Sequence, residues 1–370
     1  MALGDNGLER SEALRRLLEE TGFADAQRAP LAGDASTRRY ERVRAPDGRR
    51  AILMDAPPSS ESPPCPPGAT PAERRAMGWN AAARLAASRV EAFVCVARYL
   101  EGLGLSSPRI YGADCSAGYA VIEDLGDNLY ANIIGAGADE MHLYEEAARV
   151  LAHVHNAPPA PARLQCHDGV SWPLLEYDAL ALEVNADLFV EWLPRAAEVR
   201  IDDAARARWE RIRDALIVKA LGFPRAFTIR DYHADNLLWL PERDGIKRVG
   251  LLDIQDAIRG WRGWDFSMLL HDARRDVSRA AHGAAVRAYL DETGGNEAEF
   301  DRELAVLGAI NAMRILGIFS RLTARDNKPR YLQFMPRMWG HLSRTLRHPA
   351  LSEASAFVES VARPYLERAA

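Results

Sequence analysis

The sequence predicts an α+β chain of two lobes, a small antiparallel-sheet lobe over residues 1–125 and a larger helical lobe over 126–370. Three observations predict it. Short strand-like runs with hairpin dipeptides crowd the first third, and apolar residues recur at three- and four-residue spacing from Asp139 onward. The third is size: 370 residues with 48% hydrophobic content bury more core than one small domain requires.

In chain order, Ser11 is placed to cap a helix over 12–21, with Leu14, Leu17 and Leu18 on one face and Gly22 as its terminator. Runs 38–44 and 49–55 flank Asp47-Gly48, a hairpin signal. The turn before them, Gly33-Asp34-Ala35-Ser36-Thr37, offers small residues whose backbone N–H groups and hydroxyls can approach phosphate oxygens; it reads equally as a plain turn. Residues 57–71 hold seven prolines, so an exposed loop or disordered insertion is expected, with Cys65 incidental. Helices over 72–88 and 90–103 follow, and Glu91 is a candidate ion-pair partner for a phosphate-binding arginine. Strands at 110–112 and 119–122 complete a five-stranded antiparallel sheet. Glu123-Asp124-Leu125-Gly126 comes next, where a backbone carbonyl and amide can read an adenine edge.

Beyond residue 139, Leu143, Ala147, Val150, Leu151 and Val154 mark one helix face, while His153 and His155, two apart, point to different faces and make no metal pair. A helix reaching Trp192 is expected, and Asp265 can cap an apolar helix. Further helices fall over about 277–292, 298–323, 330–347 and 352–368.

The chemistry concentrates in residues 227–256. Asp231 and Asn236 are five positions apart, the spacing of a kinase catalytic loop, and Asp253 ends the apolar run 249–252. Two short strands around Asp244-Gly245 predict a hairpin that brings Asn236 and Asp253 together at its open end. Paired oxygen ligands there suit a Mg²⁺ bound to ATP phosphates. Asp231 is then placed to orient and deprotonate a hydroxyl. Only three of the 47 basic side chains are lysines, and none precedes Lys219, so an arginine must hold the phosphates. Arg38 and Arg39 are the candidates, and strand alternation lets one of them face inward.

Composition narrows the classes. A net charge of −5 gives no basic field for nucleic acid, and no run of about 18 apolar residues predicts a membrane span. Four cysteines without a C-x-x-C pair read as reduced thiols and no zinc site, and the start of the chain lacks signal-peptide regions; a cytoplasmic monomer is expected.

The order D-Y-H-x-x-N, hairpin, L-D-x-Q-D-A resembles the aminoglycoside phosphotransferase-like kinases, whose core motif is written H-G-D-x-H-x-x-N; Ile229 and Arg230 stand in place of its outer histidine and glycine. The stretches GDASTRRY at 33–40, LMDAPP at 53–58, EDLG at 123–126 and LGIFSRL at 316–322, with Arg325-Asp326, are similar to the branch that phosphorylates the anomeric hydroxyl of N-acetylmuramate and N-acetylglucosamine. The resemblance implies a bilobal protein-kinase-like fold using ATP and Mg²⁺, with Asp231 catalytic and Asn236 and Asp253 on the metal. It implies nucleotide contacts from Gly33, Asp34, Ala35, Ser36, Thr37, Arg38, Arg39, Glu123 and Leu125. Tyr177, Asp178, Glu183, His233, Asp256 and Arg314 fall on the acceptor side, with Tyr177 as a ring platform for the sugar, and Asp265 braces the catalytic loop. Aminoglycoside, choline or homoserine kinases and a pseudokinase-like binding module are the alternatives. Residues 157–370 carry 30 acidic and 30 basic side chains, a neutrality that leans against polycationic acceptors.

Overall fold

The structure, a computed structural model of the chain, describes residues 2–31, 37–60, 62–166, 169–197 and 199–369. Its first half contains α1 (Ala2–Glu20), β1 (Gln27–Pro30), β2 (Arg39–Arg44), β3 (Arg50–Asp55), α2 (Pro71–Met77), α3 (Val90–Gly102), β4 (Ile110–Asp114), β5 (Tyr119–Glu123), α4 (Tyr130–Gly135), α5 (Glu140–Asn156), β6 (Arg163–Gln165) and β7 (Ser171–Pro173). Then come α6 (Ala179–Ala196), α7 (Asp203–Leu221), β8 (Arg225–Thr228), β9 (Leu237–Trp239), β10 (Val249–Leu251), β11 (Ile258–Trp261), α8 (Arg262–Leu270), α9 (Arg279–Thr293), α10 (Glu297–Ala324), α11 (Met335–Thr345) and α12 (Ser352–Ala369). These fall into two compact units. The first comprises Met1–Ile133, Pro159–Leu175 and Asp235–Ala257; the second comprises Ile134–Pro158, Glu176–Ala234 and Ile258–Ala370.

The first unit is built on an antiparallel sheet of order β1-β2-β3-β5-β4; the sequence reading counts five strands but places only four, and β1 at Gln27–Pro30 is the one it leaves unplaced. Gly48, at φ +90°, supplies the left-handed turn between β2 and β3. Leu17, Leu18 and Phe23 of α1 and its exit pack with Val43, Leu53 and Val121 in a small apolar core. That packing needs Gly112 on β4, where a Cβ would stand 2.6 Å from Cγ2 of Thr21. The helix begins at Ala2, so Ser11 lies inside it rather than at its cap; Gly22, at φ +78°, ends it as its sequence suggests.

The proline-rich stretch departs from expectation. Most of its described residues are exposed, as a loop should be, and the departure is confined to Cys65, which is 6% exposed and whose N–H donates to the Leu85 carbonyl at 3.0 Å. The predicted helix over 72–88 is split in two. A Thr70–Glu73 capping box starts α2, Gly78 at φ +98° stops it, and a π-helical turn follows at Asn80–Arg84. Cys95 on α3 and Cys166 after β6 form a disulfide with Cα atoms 5.0 Å apart, which corrects the reading of four reduced thiols. A separation of 71 residues hid the pair.

In the second unit α6 lies along α10, and α5 along α9. The α6–α10 crossing is close because residue 317 is glycine: a Cβ there would sit 2.4 Å from the Leu188 carbonyl carbon. Two helices are absent from the sequence expectations, the short α4 and the longer α7. In α7 the buried residues Trp209, Ile212, Leu216, Ile217 and Ala220 have helical spacing, but charged neighbours dilute the pattern. Among the described residues α10 alone is long and apolar enough to cross a membrane, and 89% of its most apolar window is buried, as in a core helix.

Candidate active site

The β9–β10 hairpin of the first unit carries two of the candidate residues, Asn236 and Asp253. Leu237 pairs with Leu251, and the Leu252 N–H donates to the Asn236 carbonyl at 2.9 Å, so Asn236 and Asp253 emerge side by side at the open end. The turn is longer than a two-residue loop: Gly245 takes φ +53°, but Asp244 stays extended at φ −108° and a 3₁₀ turn covers Gly245–Arg248. Asp253 itself is left-handed, at φ +54° and ψ 40°. A non-glycine residue held there stores strain of a kind that gathers at functional sites.

Arg38 approaches this acid. It is 7% exposed, its guanidinium is ion-paired with Asp253 Oδ1 and donates to Gln255 Oε1, and Gln255 Nε2 donates to the same Asp253 oxygen at 3.1 Å. Burial opposes the Arg38 charge, but Asp253, Tyr40 and Asp256 together outweigh it and hold the guanidinium proton more tightly than usual. Burial likewise pushes the neighbouring Tyr40 hydroxyl up to about 12. Arg39, next along the strand, is exposed. Thr37 is exposed too, and Gly33, Asp34, Ala35 and Ser36 lie outside the described residues. Asp256 is 5% exposed and clasped by Arg84, whose Nε stands 2.9 and 3.1 Å from its two oxygens.

Where β5 ends, the Glu123 carboxylate is occupied, accepting from the Arg243 guanidinium at 2.7 Å and the Arg109 N–H at 3.2 Å. Leu125 is half-buried before Gly126, whose φ of +89° turns the chain. Glu91 pairs with Arg89 and not with Arg38, because the two share the first turn of α3.

The second unit holds the loop of Asp231. Asp231 is half-buried and follows Arg230, which stands where the resembling motif has glycine and takes φ +84°. Arg230 is 3% exposed and its guanidinium lies 5.0 Å from the Tyr177 ring centre. Beneath it, the Asp265 carboxylate accepts the Ile229 N–H at 2.8 Å and the Arg230 N–H at 2.7 Å. Asp265 therefore braces the loop instead of capping α8, whose first turn it occupies. Burial pushes its carboxyl up to about 7, against the pull of those two N–H groups and with a further push from Asp231.

The remaining acceptor-side residues are placed as follows. Tyr177 is fully buried, its hydroxyl accepting from Asn185 at 2.6 Å and its ring edge-on to Trp264 at 4.8 Å. It is a support for Arg230 and offers no open ring face, which corrects the sugar-platform expectation. Asp178 caps α6 through the Ala181 N–H, and Glu183 lies 3.7 Å from Arg213. Arg314 donates to Asn185 at 3.2 Å and to Asn311 at 2.9 Å, and His233 is buried at 7% exposure. Sequence reasoning missed Arg84 and the part played by Arg230; no spacing rule links residue 84 to residue 256.

Among the described residues no three His, Cys, Asp or Glu side chains gather as a metal cage. Asn236 and Asp253 supply hard oxygens at the open end of the hairpin, a donor set that fits a Mg²⁺ sharing its shell with phosphates and water.

A strained acid on a hairpin, a buried arginine ion-paired with it and a braced D-x-x-x-x-N loop are features of a kinase-like phosphotransferase. The model of the phosphotransferase enzyme family matches residues 27–304, and the chain belongs to that family. It is 50% identical to a protein of Caulobacter vibrioides named N-acetylmuramate/N-acetylglucosamine kinase, over 95% of this chain and 96% of that one. It is 32% identical to a protein of the same name from Pseudomonas aeruginosa, over 91% and 89%. Among solved structures, a choline/ethanolamine kinase family protein from Mesorhizobium loti aligns with a TM-score of 0.56 at 16% identity, covering 95% of this chain and 99% of that one. The ADP-bound aminoglycoside phosphotransferase APH(2'')-Ib aligns at 0.52 and 13%, covering 89% and 96%. The fold is thus the protein-kinase-like α+β fold.

Proposed function

We propose that this chain transfers the γ-phosphoryl group of ATP to the anomeric hydroxyl of N-acetylmuramate or N-acetylglucosamine. The observation that carries the acceptor is the 50% identity, over nearly the whole length of both chains, to a kinase named for those sugars. The Asp231, Asn236 and Asp253 set supplies the chemistry.

Asp231 orients the sugar hydroxyl and accepts its proton as the new bond forms. An anomeric hydroxyl is more acidic than an ordinary alcohol, so much of the barrier reduction comes from alignment. Arg38 meets the phosphates, exchanging part of its contact with Asp253 for phosphate oxygens. A bound Mg²⁺, held by Asn236 and Asp253, would neutralise charge on the β- and γ-phosphates. The Glu123 carbonyl and Leu125 amide read the adenine, and Asp256 with Arg314 contacts the sugar. We place the protein in the cytoplasm as a monomer without nucleic-acid or membrane partners, its sheet lobe ending near residue 125. An ADP-release panel with N-acetylmuramate, N-acetylglucosamine, kanamycin, choline and homoserine tests the reading: turnover with the two N-acetyl sugars supports it, and turnover confined to any other acceptor refutes it.

A further inference from the structure

After the proline-rich loop the chain takes an unusual course. Asn80–Arg84 is a π-helical turn, and π-turns are rare and concentrate at functional sites. Leu85, directly after it, is left-handed at φ +70°, which a bulky side chain adopts only when its surroundings enforce it. The enforcement is visible. Arg74, 6% exposed, donates from Nε to the Ala81 carbonyl at 3.0 Å and from Nη2 to the Ala82 carbonyl at 3.1 Å. Asn80, 5% exposed, donates to the Ser62 carbonyl at 2.7 Å. A buried arginine and a buried asparagine are therefore committed to holding one turn in a strained shape.

That turn delivers Arg84. Its Nε reaches both Asp256 oxygens and its Nη2 lies 2.9 Å from Oδ2, a planar fork on a carboxylate. Such a fork fixes the plane of the carboxylate as well as its charge, which an ammonium does not do. Asp256 sits on the short turn Ile254–Asp256, three residues after Asp253, and α3 packs against that turn. An ionised carboxylate accepts about four hydrogen bonds. The fork leaves capacity for a hydroxyl, and a carboxylate 5% exposed pays heavily if its cation is removed.

We infer that Arg84 is a positioning residue for acceptor recognition: it holds the Asp256 carboxylate in the plane in which that carboxylate accepts a hydroxyl of the sugar. The inference rests on the reading that Asp256 contacts the acceptor. On this account the turn Asn80–Leu85 is a device for specificity, and its strain is retained because relaxing it would withdraw the fork.

The test is calorimetric titration of N-acetylglucosamine into the full chain as wild type, Arg84→Ala, Arg84→Lys, Asp256→Ala and the Arg84→Ala/Asp256→Ala double variant. Arg84→Ala is expected to raise Kd by ~10-fold or more, the effect of losing about 1.4 kcal/mol. Arg84→Lys, which keeps the charge without the fork, is expected to fall between the two. The double variant should match Asp256→Ala within about twofold, since Arg84 acts through Asp256. Kd does not depend on the folded fraction, and Arg84→Lys carries the test if the alanine variant fails to fold. Wild-type Kd in Arg84→Ala, or in Arg84→Lys where the alanine variant is unfolded, overturns the inference. So does an additive loss in the double variant. No binding by the wild type overturns the acceptor reading beneath it.

Discussion

The guanidinium of Arg38 is ion-paired with the carboxylate of Asp253, and both are held by Gln255 between them. On the proposed function this pairs the phosphate-binding cation with a metal ligand. Arg38 is therefore kept charged and oriented although 7% exposed, while Arg39 faces solvent. Arg38→Ala is expected to raise the KM for ATP by ~10-fold or more, since a charge-assisted contact is worth about 1.5–3 kcal/mol. Arg39→Ala should change it by less than about twofold. Steady-state kinetics at saturating sugar read both, and equal effects would remove the distinction.

Asp231 and Asp253 should fail differently. Asp231→Asn keeps the size and loses the base, so nucleotide binding persists while transfer slows by roughly 10²-fold or more. Asp253→Ala removes the proposed metal ligand and should abolish Mg²⁺-dependent turnover. Rapid-quench kinetics with a fluorescent ATP analogue separates binding from transfer, and near-normal transfer in either variant removes the role given to that residue.

The Asp265 brace predicts a pH signature. Its folded carboxyl is raised to about 7 against an unfolded value of about 3.9, so between these limits the folded state holds a proton that the unfolded state has released. Stability from this group is present below pH 4 and is lost as pH rises towards 7. Asp265→Asn does not titrate. The stability difference between wild type and variant should therefore shift against the wild type by an amount on the order of a few kcal/mol from pH 4 to pH 7. Urea melts across that range measure it, and a pH-independent difference would mean that the carboxyl ionises normally.

Gly317 should be intolerant of a side chain. A Cβ there would stand 2.4 Å from Leu188 backbone on α6, and backbone cannot rotate aside. Gly317→Ala is expected to cost about 1–3 kcal/mol and to lower Tm by several degrees, despite alanine's better helix propensity. An unchanged or raised Tm would show that the two helices part without cost.

Much of this was legible because it is local. The spacing of Asp231, Asn236 and Asp253 and the dipeptide Asp47-Gly48 foretold the loop and both hairpins, since turn chemistry and alternation act over a few residues. What stayed hidden depends on distant partners. Arg84 meets Asp256 across 172 residues and Cys95 meets Cys166 across 71, and neither pairing leaves a periodic trace. Tyr177 misled for a related reason: an aromatic beside an acid reads as a sugar platform, while its burial is decided by Trp261, Trp264 and Arg230, far away in sequence. Arg230 could have been suspected, because a glycine position filled by arginine must still take a left-handed φ.

The most direct measurement is product analysis after incubation of the protein with ATP, Mg²⁺ and N-acetylglucosamine or N-acetylmuramate. An anomeric phosphate is acid-labile and lacks a reducing end, and that product is expected from both sugars, with none from kanamycin. An acid-stable sugar phosphate that still reduces, or turnover on kanamycin alone, would contradict the account.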